Sequence, residues 1–133
     1  MSRLIDKLAW LYTEDRKLLM TRSRNKTVWY IPGGKRETGE SDQAALIREI
    51  QEELNVSLLP ETLKFLGTFE DQADGHPEGI IVRMTCYSGK YTGELMPSSE
   101  IDEIDWFTFA DKERSSFVDQ KIFDWLLSKD LID

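Results

Sequence analysis

The sequence predicts one α+β (α/β) domain, a mixed sheet covered by helices. Three observations carry that expectation. Short apolar runs with two-residue alternation are separated by polar turns, two longer stretches repeat their apolar residues at helical spacing, and the order of the two kinds is β-β-β-α-β-β-β-α. The length of 133 residues fits a single domain over residues 1–133, with four Trp, four Tyr and six Phe to fill a core.

Residues 4–12 alternate as a strand with Leu8, Trp10 and Tyr12 on one face. Glu14-Asp15-Arg16 is a polar turn and residues 17–21 return, which predicts a hairpin. Residues 22–27 form a polar loop carrying Arg22, Arg24 and Lys26. A short apolar strand at 28–31 stops at Pro32-Gly33-Gly34, and residues 33–39 read as a loop. The clearest helix covers 41–54: Ser41 or Asp42 is the N-cap, and Leu46, Ile47, Ile50 and Leu54 make the apolar stripe. Asn55 follows, a residue that tolerates the left-handed helix end. Strands at 63–69 and 80–87 flank a polar loop at 70–79, and another strand covers 104–109. A second helix at 115–128 places Val118, Ile122, Trp125 and Leu126 on one face.

The net charge of −8 argues against a nucleic-acid polymer as partner, since such binders carry a basic surface. The charge is unevenly spread. Residues 1–36 hold nine Lys/Arg against three Asp/Glu, whereas residues 37–133 hold eight against 22. Such an arrangement suits cations for an anionic substrate beside carboxylates for metal ions, as well as plain solvated charge. No apolar stretch approaches the roughly 20 residues of a membrane span, and Asp6 and Lys7 interrupt any leader-like run. Cys86, the only cysteine, excludes an internal disulfide and a four-thiolate zinc site and points to a reducing, cytoplasmic compartment. In its strand Cys86 reads as packing, and His76, in a Gly/Pro loop, as a solvated side chain.

The chemistry concentrates in residues 33–56, GGKRETGESDQAALIREIQEELNV. Glu49, Glu52 and Glu53 fall at i, i+3 and i+4 and share one helix face. Three carboxylates so close repel one another and are cheap only when solvated or when they hold cations. Glu40, just before the helix, can fold over the same area, and Arg48 can pair with Glu52 or reach back to Glu40. An oxygen-rich cluster of this kind suits Mg²⁺, with Mn²⁺ as a substitute. The Gly33-Gly34 bend is either a simple turn or a way of bringing a carbonyl beside the cluster.

Taken together the segment resembles the Nudix box, G-x5-E-x7-R-E-U-x-E-E-x-G-U with U aliphatic. Gly34, Glu40, Arg48-Glu49, Ile50, Glu52-Glu53, Leu54 and Val56 match it, and Asn55 alone replaces the second glycine. The flanking Trp29-Tyr30-Ile31-Pro32-Gly33-Gly34-Lys35 is similar to the family's entry strand, and the element order resembles the Nudix α/β/α sandwich with its mixed central sheet. The resemblance implies a magnesium-dependent pyrophosphohydrolase of a small nucleotide. Glu49, Glu52 and Glu53 are then metal ligands, the Gly34 carbonyl a further one, and Glu40 and Arg48 supporting residues. The general base is Glu100, at the MutT-type spacing before Trp106, with Glu103 as the second choice and Glu53 the choice if the box supplies it.

The same resemblance makes Arg22 a substrate contact, with Arg24, Lys26 and Lys35 available to phosphate. It places Phe117 and Asp119 where purine-triphosphate members read the base, with Tyr30 lining the pocket; packing and helix-start roles are the competing readings for Phe117 and Asp119. The expected substrate is a nucleoside triphosphate, including an oxidised purine such as 8-oxo-dGTP, cleaved to monophosphate and pyrophosphate. A conjugate such as ADP-ribose or a dinucleoside polyphosphate is the alternative, and a non-catalytic nucleotide sensor the third. A homodimer also accords with the family, although no sequence feature marks an interface.

Overall fold

The computed structural model describes residues 3–133. Among these described residues nine strands and two α-helices follow in chain order: β1 (Arg3–Trp10), β2 (Thr13–Glu14), β3 (Lys17–Ser23), β4 (Gly33–Lys35), α1 (Asp42–Leu54), β5 (Ser57–Leu58), β6 (Lys64–Gln72), β7 (Ile80–Ser88), β8 (Tyr91–Thr92), β9 (Ile101–Phe107) and α2 (Phe117–Ser128). Short 3₁₀ turns cover Pro60–Thr62 and Phe109–Arg114. Among the described residues no helix is long and apolar enough to cross a membrane.

The central sheet runs β4-β1-β7-β6 and is mixed, because β1 and β7 are parallel while the other two pairings are antiparallel. A second sheet runs β2-β3-β9, and β5 pairs with β8. β1 is buried on both faces at its C-terminal end, and its alternation deals side chains to two cores. Leu8 and Trp10 meet Ala45, Leu46, Ile50 and Leu54 of α1. Ala9 meets Val82, Met84 and Cys86 of β7 and Val118, Ile122 and Phe123 of α2. The result is a three-layer sandwich with α1 and α2 on opposite sides of the sheets.

Helix α1 matches the sequence expectation closely. Ser41 is its N-cap, accepting from the Ala44 amide at 3.1 Å, and Asn55 ends it in the left-handed region at φ 60°. Two expectations fail. Residues 4–12 and 17–21 do not form the predicted hairpin; only Thr13–Glu14 pairs with the start of β3, while β1 joins β7 and β4 and β3 joins β9. A buried strand can satisfy its backbone on both edges only by recruiting distant partners, and the short turn at Asp15 and Arg16 says nothing about them. The strand expected at 28–31 is reduced to isolated bridges, Thr21 with Tyr30 and Trp29 with Ser115. The pairing moves instead to Gly33–Lys35, which was expected to be loop. Gly33 makes this possible: a methyl there would sit 1.9 Å from the Leu8 carbonyl oxygen, so only glycine lets the two strands come this close.

Candidate active site

A cleft of about 680 Å³ runs from the β1–β4 end of α1 to the start of α2. At one end lie Gly33, Gly34, Lys35, Glu49, Glu53 and Glu100; at the other lie Tyr30, Ala73, Asp74, Val82, Met84 and Asp119.

The carboxylate end is built around Arg48. Its Nε and Nη2 donate to the two Glu40 oxygens at 2.8 and 2.9 Å, Nη1 donates to Glu49 at 3.0 Å and to Glu52 at 3.4 Å, and Nη2 also donates to the Lys35 carbonyl at 3.1 Å. Glu40 further accepts from the Glu37 amide at 2.8 Å. These bonds, above all those from Arg48, pull the Glu40 carboxyl down to about 2. One guanidinium thus ties the loop after β4 to the acidic face of α1.

Glu53 differs from its neighbours. It is 7% exposed, and its Oε1 accepts from the Gly33 amide at 3.0 Å. Burial pushes its carboxyl up to about 8, opposed by the Gly33 amide and reinforced by Glu100 and Glu49. Burial likewise raises Glu49. Gly34 has its own reason to be glycine, since an added methyl would lie 2.4 Å from the Glu49 carboxyl carbon and from Oε2. The missing side chain leaves room for Glu49 to lie against the backbone.

At the far end Asp119 is completely buried. Its Oδ2 accepts from the Ile31 amide at 3.0 Å, pinning the 29–32 segment to α2, and its own amide donates to Ser116 Oγ. Its Oδ1 is buried with no hydrogen-bond partner. Burial raises the Asp119 carboxyl to about 7, against the pull of the Ile31 amide and Ser116. Tyr30 donates to Asp74 Oδ2 at 3.4 Å, and burial foremost, with Asp74, raises its hydroxyl to about 12.

The structure therefore brings Gly34, Glu49, Glu53, Glu100, Tyr30, Lys35 and Asp119 to one cleft. Lys26 and His76 also line it, His76 on an exposed loop, whereas Cys86 is buried in the core. Other expected residues lie elsewhere. Glu52 points outward, with its side chain 53% exposed, held only by Arg48. Arg22 does not line the cleft: it pairs with Asp102 and Glu103 and lies over Trp29, so its charge is already matched. The same pairing occupies Glu103, leaving Glu100 as the acidic-loop carboxylate on the cleft. Phe117 is the first residue of α2, half-exposed and outside the cleft lining, so it is not placed to stack on a bound base. Sequence reasoning missed Lys7 and Asp74, which also line the cleft. A lysine between apolar residues of the same strand face, Ile5 and Ala9, is the one signal that was available for Lys7.

The NUDIX domain family model matches residues 5–126. The chain belongs to this family. A NUDIX relative in Bacillus subtilis, named Uncharacterized Nudix hydrolase YvcI, is 33% identical over 101 residues, which are 76% of this chain and 63% of that protein. The ADP-ribose pyrophosphatase of Methanocaldococcus jannaschii is 29% identical over 112 residues, 82% of this chain and 64% of that protein. The chain thus spans just under two thirds of the length of these curated relatives. A crystal structure of a MutT protein from Methanosarcina mazei shares the fold, with a TM-score of 0.77 at 18% identity over 97% of this chain and 96% of that one.

Nudix hydrolases generally use divalent cations, and the residues of this NUDIX domain fit one. Glu53 is a buried carboxylate with a backbone amide as its hydrogen-bond partner, an expensive arrangement unless a cation neutralises it. The donors are all oxygens, and the Gly34 cradle keeps Glu49 beside the backbone. Among the described residues no three acidic, His or Cys side chains cluster tightly enough to hold an ion unaided. A hard divalent cation held by a few carboxylates ordinarily completes its shell with water and other oxygen ligands.

Proposed function

We propose that the chain is a Mg²⁺-dependent pyrophosphohydrolase acting on a nucleoside triphosphate, with oxidised purines such as 8-oxo-dGTP among its substrates. One observation carries the reading: a single cleft joins the carboxylates Glu49, Glu53 and Glu100 to Asp119, a buried acid with one oxygen unpartnered. The first end suits a phosphate chain held by cations, and the second suits the polar edge of a base. Glu49 and Glu53, with Glu52 turned inward and the Gly34 carbonyl, would hold the metal, whose chemistry is to neutralise phosphate oxygens and acidify water. Arg48 and Glu40 fix the loop and helix that carry these groups.

In the reaction water adds to a phosphorus of the triphosphate, the bridging P–O bond breaks, and pyrophosphate leaves with the bond's electron pair. Glu100 takes the proton of the attacking water. It is exposed to the cleft and unpaired by any cation among the described residues, whereas Glu103 is held by Arg22. Lys35 and Lys26 line the cleft and suit the outer phosphates.

A second reading, hydrolysis of a conjugate such as ADP-ribose, is favoured by the name of the Methanocaldococcus jannaschii relative. Product analysis separates them. Canonical and oxidised triphosphates and ADP-ribose are each incubated with the protein and Mg²⁺, and products are resolved by ion-exchange chromatography. Pyrophosphate and monophosphate from one triphosphate support the first reading; AMP and ribose 5-phosphate from ADP-ribose as the dominant products replace it with the second.

A further inference from the structure

Position 7 is out of keeping with its strand. The residues that flank it on its face of β1 are Ile5 and Ala9, both packed into the α2-side core, and its parallel partner on β7 is Met84. A lysine here puts a strongly hydrated ammonium on a half-buried, largely apolar surface. The side chain does not escape to solvent altogether: it lines the cleft, with Nζ 5.7 Å from the centre of the Tyr30 ring. Among the described residues it makes no hydrogen bond and no ion pair. Asp119 feels its charge, and so does Glu53.

Two unmatched groups of opposite character therefore face one cavity. Lys7 offers N–H donors, and Asp119 Oδ1, fully buried, offers an acceptor. Lys7 lies between the two ends of the cleft: its register partner on β4 is Lys35 and Glu53 feels its charge, while its Nζ approaches the ring of Tyr30, whose hydroxyl is bonded to Asp74 and whose neighbour Ile31 donates its amide to Asp119. Lys35 and Lys26 stand free for phosphate, so a third cation is not needed there. A donor and an acceptor facing one cavity match a ring carbonyl beside a ring N–H.

We propose that Lys7 is a specificity-determining residue that, with Asp119, selects a lactam-edged base: Lys7 donates to the ring carbonyl oxygen and Asp119 Oδ1 accepts from the neighbouring ring N–H. Guanine, hypoxanthine and uracil present this edge. Adenine and cytosine place an amino group where Lys7 needs an acceptor, which leaves the ammonium unpaired or repelled. The inference rests on the nucleotide-hydrolase reading above and names the base class of the same site.

Inosine and adenosine 5′-triphosphates test it, since they differ only at that edge. The wild type should show a kcat/KM at least tenfold higher for the inosine nucleotide. Lys7→Met, of similar length and apolar, should bring the two within about threefold, chiefly by losing the inosine nucleotide. Lys7→Arg, which keeps the charge and guards against a folding failure of the apolar variant, should keep most of the preference. An equal loss on both nucleotides in Lys7→Met would assign Lys7 to phosphate and overturn the inference, as would an unchanged ratio. Titration of the wild type and Lys7 variants with the free nucleosides inosine and adenosine, followed by NMR, makes the test independent of turnover. If no triphosphate is hydrolysed but inosine binds more tightly than adenosine in a Lys7-dependent way, the hydrolase reading falls and this inference stands. Equal binding of the two nucleosides overturns it.

Discussion

Gly33 and Gly34 are adjacent, yet replacing each by alanine should have opposite consequences. At Gly33 the new methyl would sit 1.9 Å from the Leu8 carbonyl oxygen and 2.9 Å from the Ala9 Cα, where ordinary contact begins near 3.4 Å. Both obstacles are backbone of the central strand, so β4 must part from β1. Overpacking of this kind costs about 1–3 kcal/mol. The φ of 149° adds about 1–2 kcal/mol, because a side chain is strained there. At about 3–5 °C per kcal/mol for a domain of this size, Gly33→Ala should lower the melting temperature by about 6–25 °C. At Gly34 the methyl would lie 2.4 Å from the Glu49 carboxylate, the movable end of a side chain, and the backbone has no positive φ. Glu49 can swing away, so the melting temperature should fall by less than about 5 °C. The displaced carboxylate should cost turnover on the order of 100-fold, the typical effect of an ångström of misplacement. Thermal melts by circular dichroism and a pyrophosphate-release assay on both variants read the two effects. A Gly33→Ala protein melting within 3 °C of wild type would refute the close β1–β4 approach, and a fully active Gly34→Ala protein would refute the role of Glu49.

Further outcomes are expected. Glu53→Gln should keep the fold and lower turnover in Mg²⁺ by at least 100-fold, as should Glu52→Gln; a Glu52→Gln rate equal to wild type would mean that this outward-pointing carboxylate does not turn into the site. Arg48→Lys should lose the forked bonds to Glu40 and weaken the apparent Mg²⁺ affinity about 10–100-fold, measured by titrating the metal in the activity assay. The Asp119 carboxyl is raised in the folded protein to about 7 by burial, so it opposes folding as pH rises above its unfolded value near 4 and does so fully above pH 7. Asp119→Asn should therefore gain stability relative to wild type between pH 5 and 7.5, by a few kcal/mol at most, in urea melts without metal; a constant difference across that range would mean that Asp119 stays charged. The same variant should shift preference among bases.

The helix α1 was legible in the sequence because its signals are local: a serine cap, a four-residue apolar period and an asparagine at the left-handed end. The carboxylates were legible for the same reason, their spacing being fixed by the helix that bears them. The strand pairing was not. β1 precedes a tight turn that suggests a hairpin, while its true partners are β7, far along the chain, and β4, a run of two glycines and a lysine with little strand propensity. Distance along the chain also hid the roles around the cleft. Arg22 looked free until β3 met β9 and set it against Asp102 and Glu103. Lys7 stood out in the sequence only as a break in a leader-like run, and it is the sheet that puts it in the same cavity as Asp119. Phe117 read as a base-stacking ring or as core packing, but the N-cap at Ser116 makes it the first residue of α2 and leaves it half in solvent.

The turn at Asn55 has a mechanical consequence for the loop that bears Glu100. Past the left-handed residue, the chain leaves the last α1 carbonyls open, and the loop fills them: the Met96 amide donates to the Leu54 carbonyl at 3.0 Å and the Ser98 amide to the Glu53 carbonyl at 2.9 Å. Glu53 is thus held at both ends, its side chain by Gly33 and its backbone by the loop. Glu100 is two residues from that latch and cannot swing as an independent flap; its excursions are leashed to the end of α1. Amide exchange at Ser98 should track the slow exchange of the helix, and any change that loosens the latch should be felt by both tasks proposed for the site, gripping the phosphates and delivering the water.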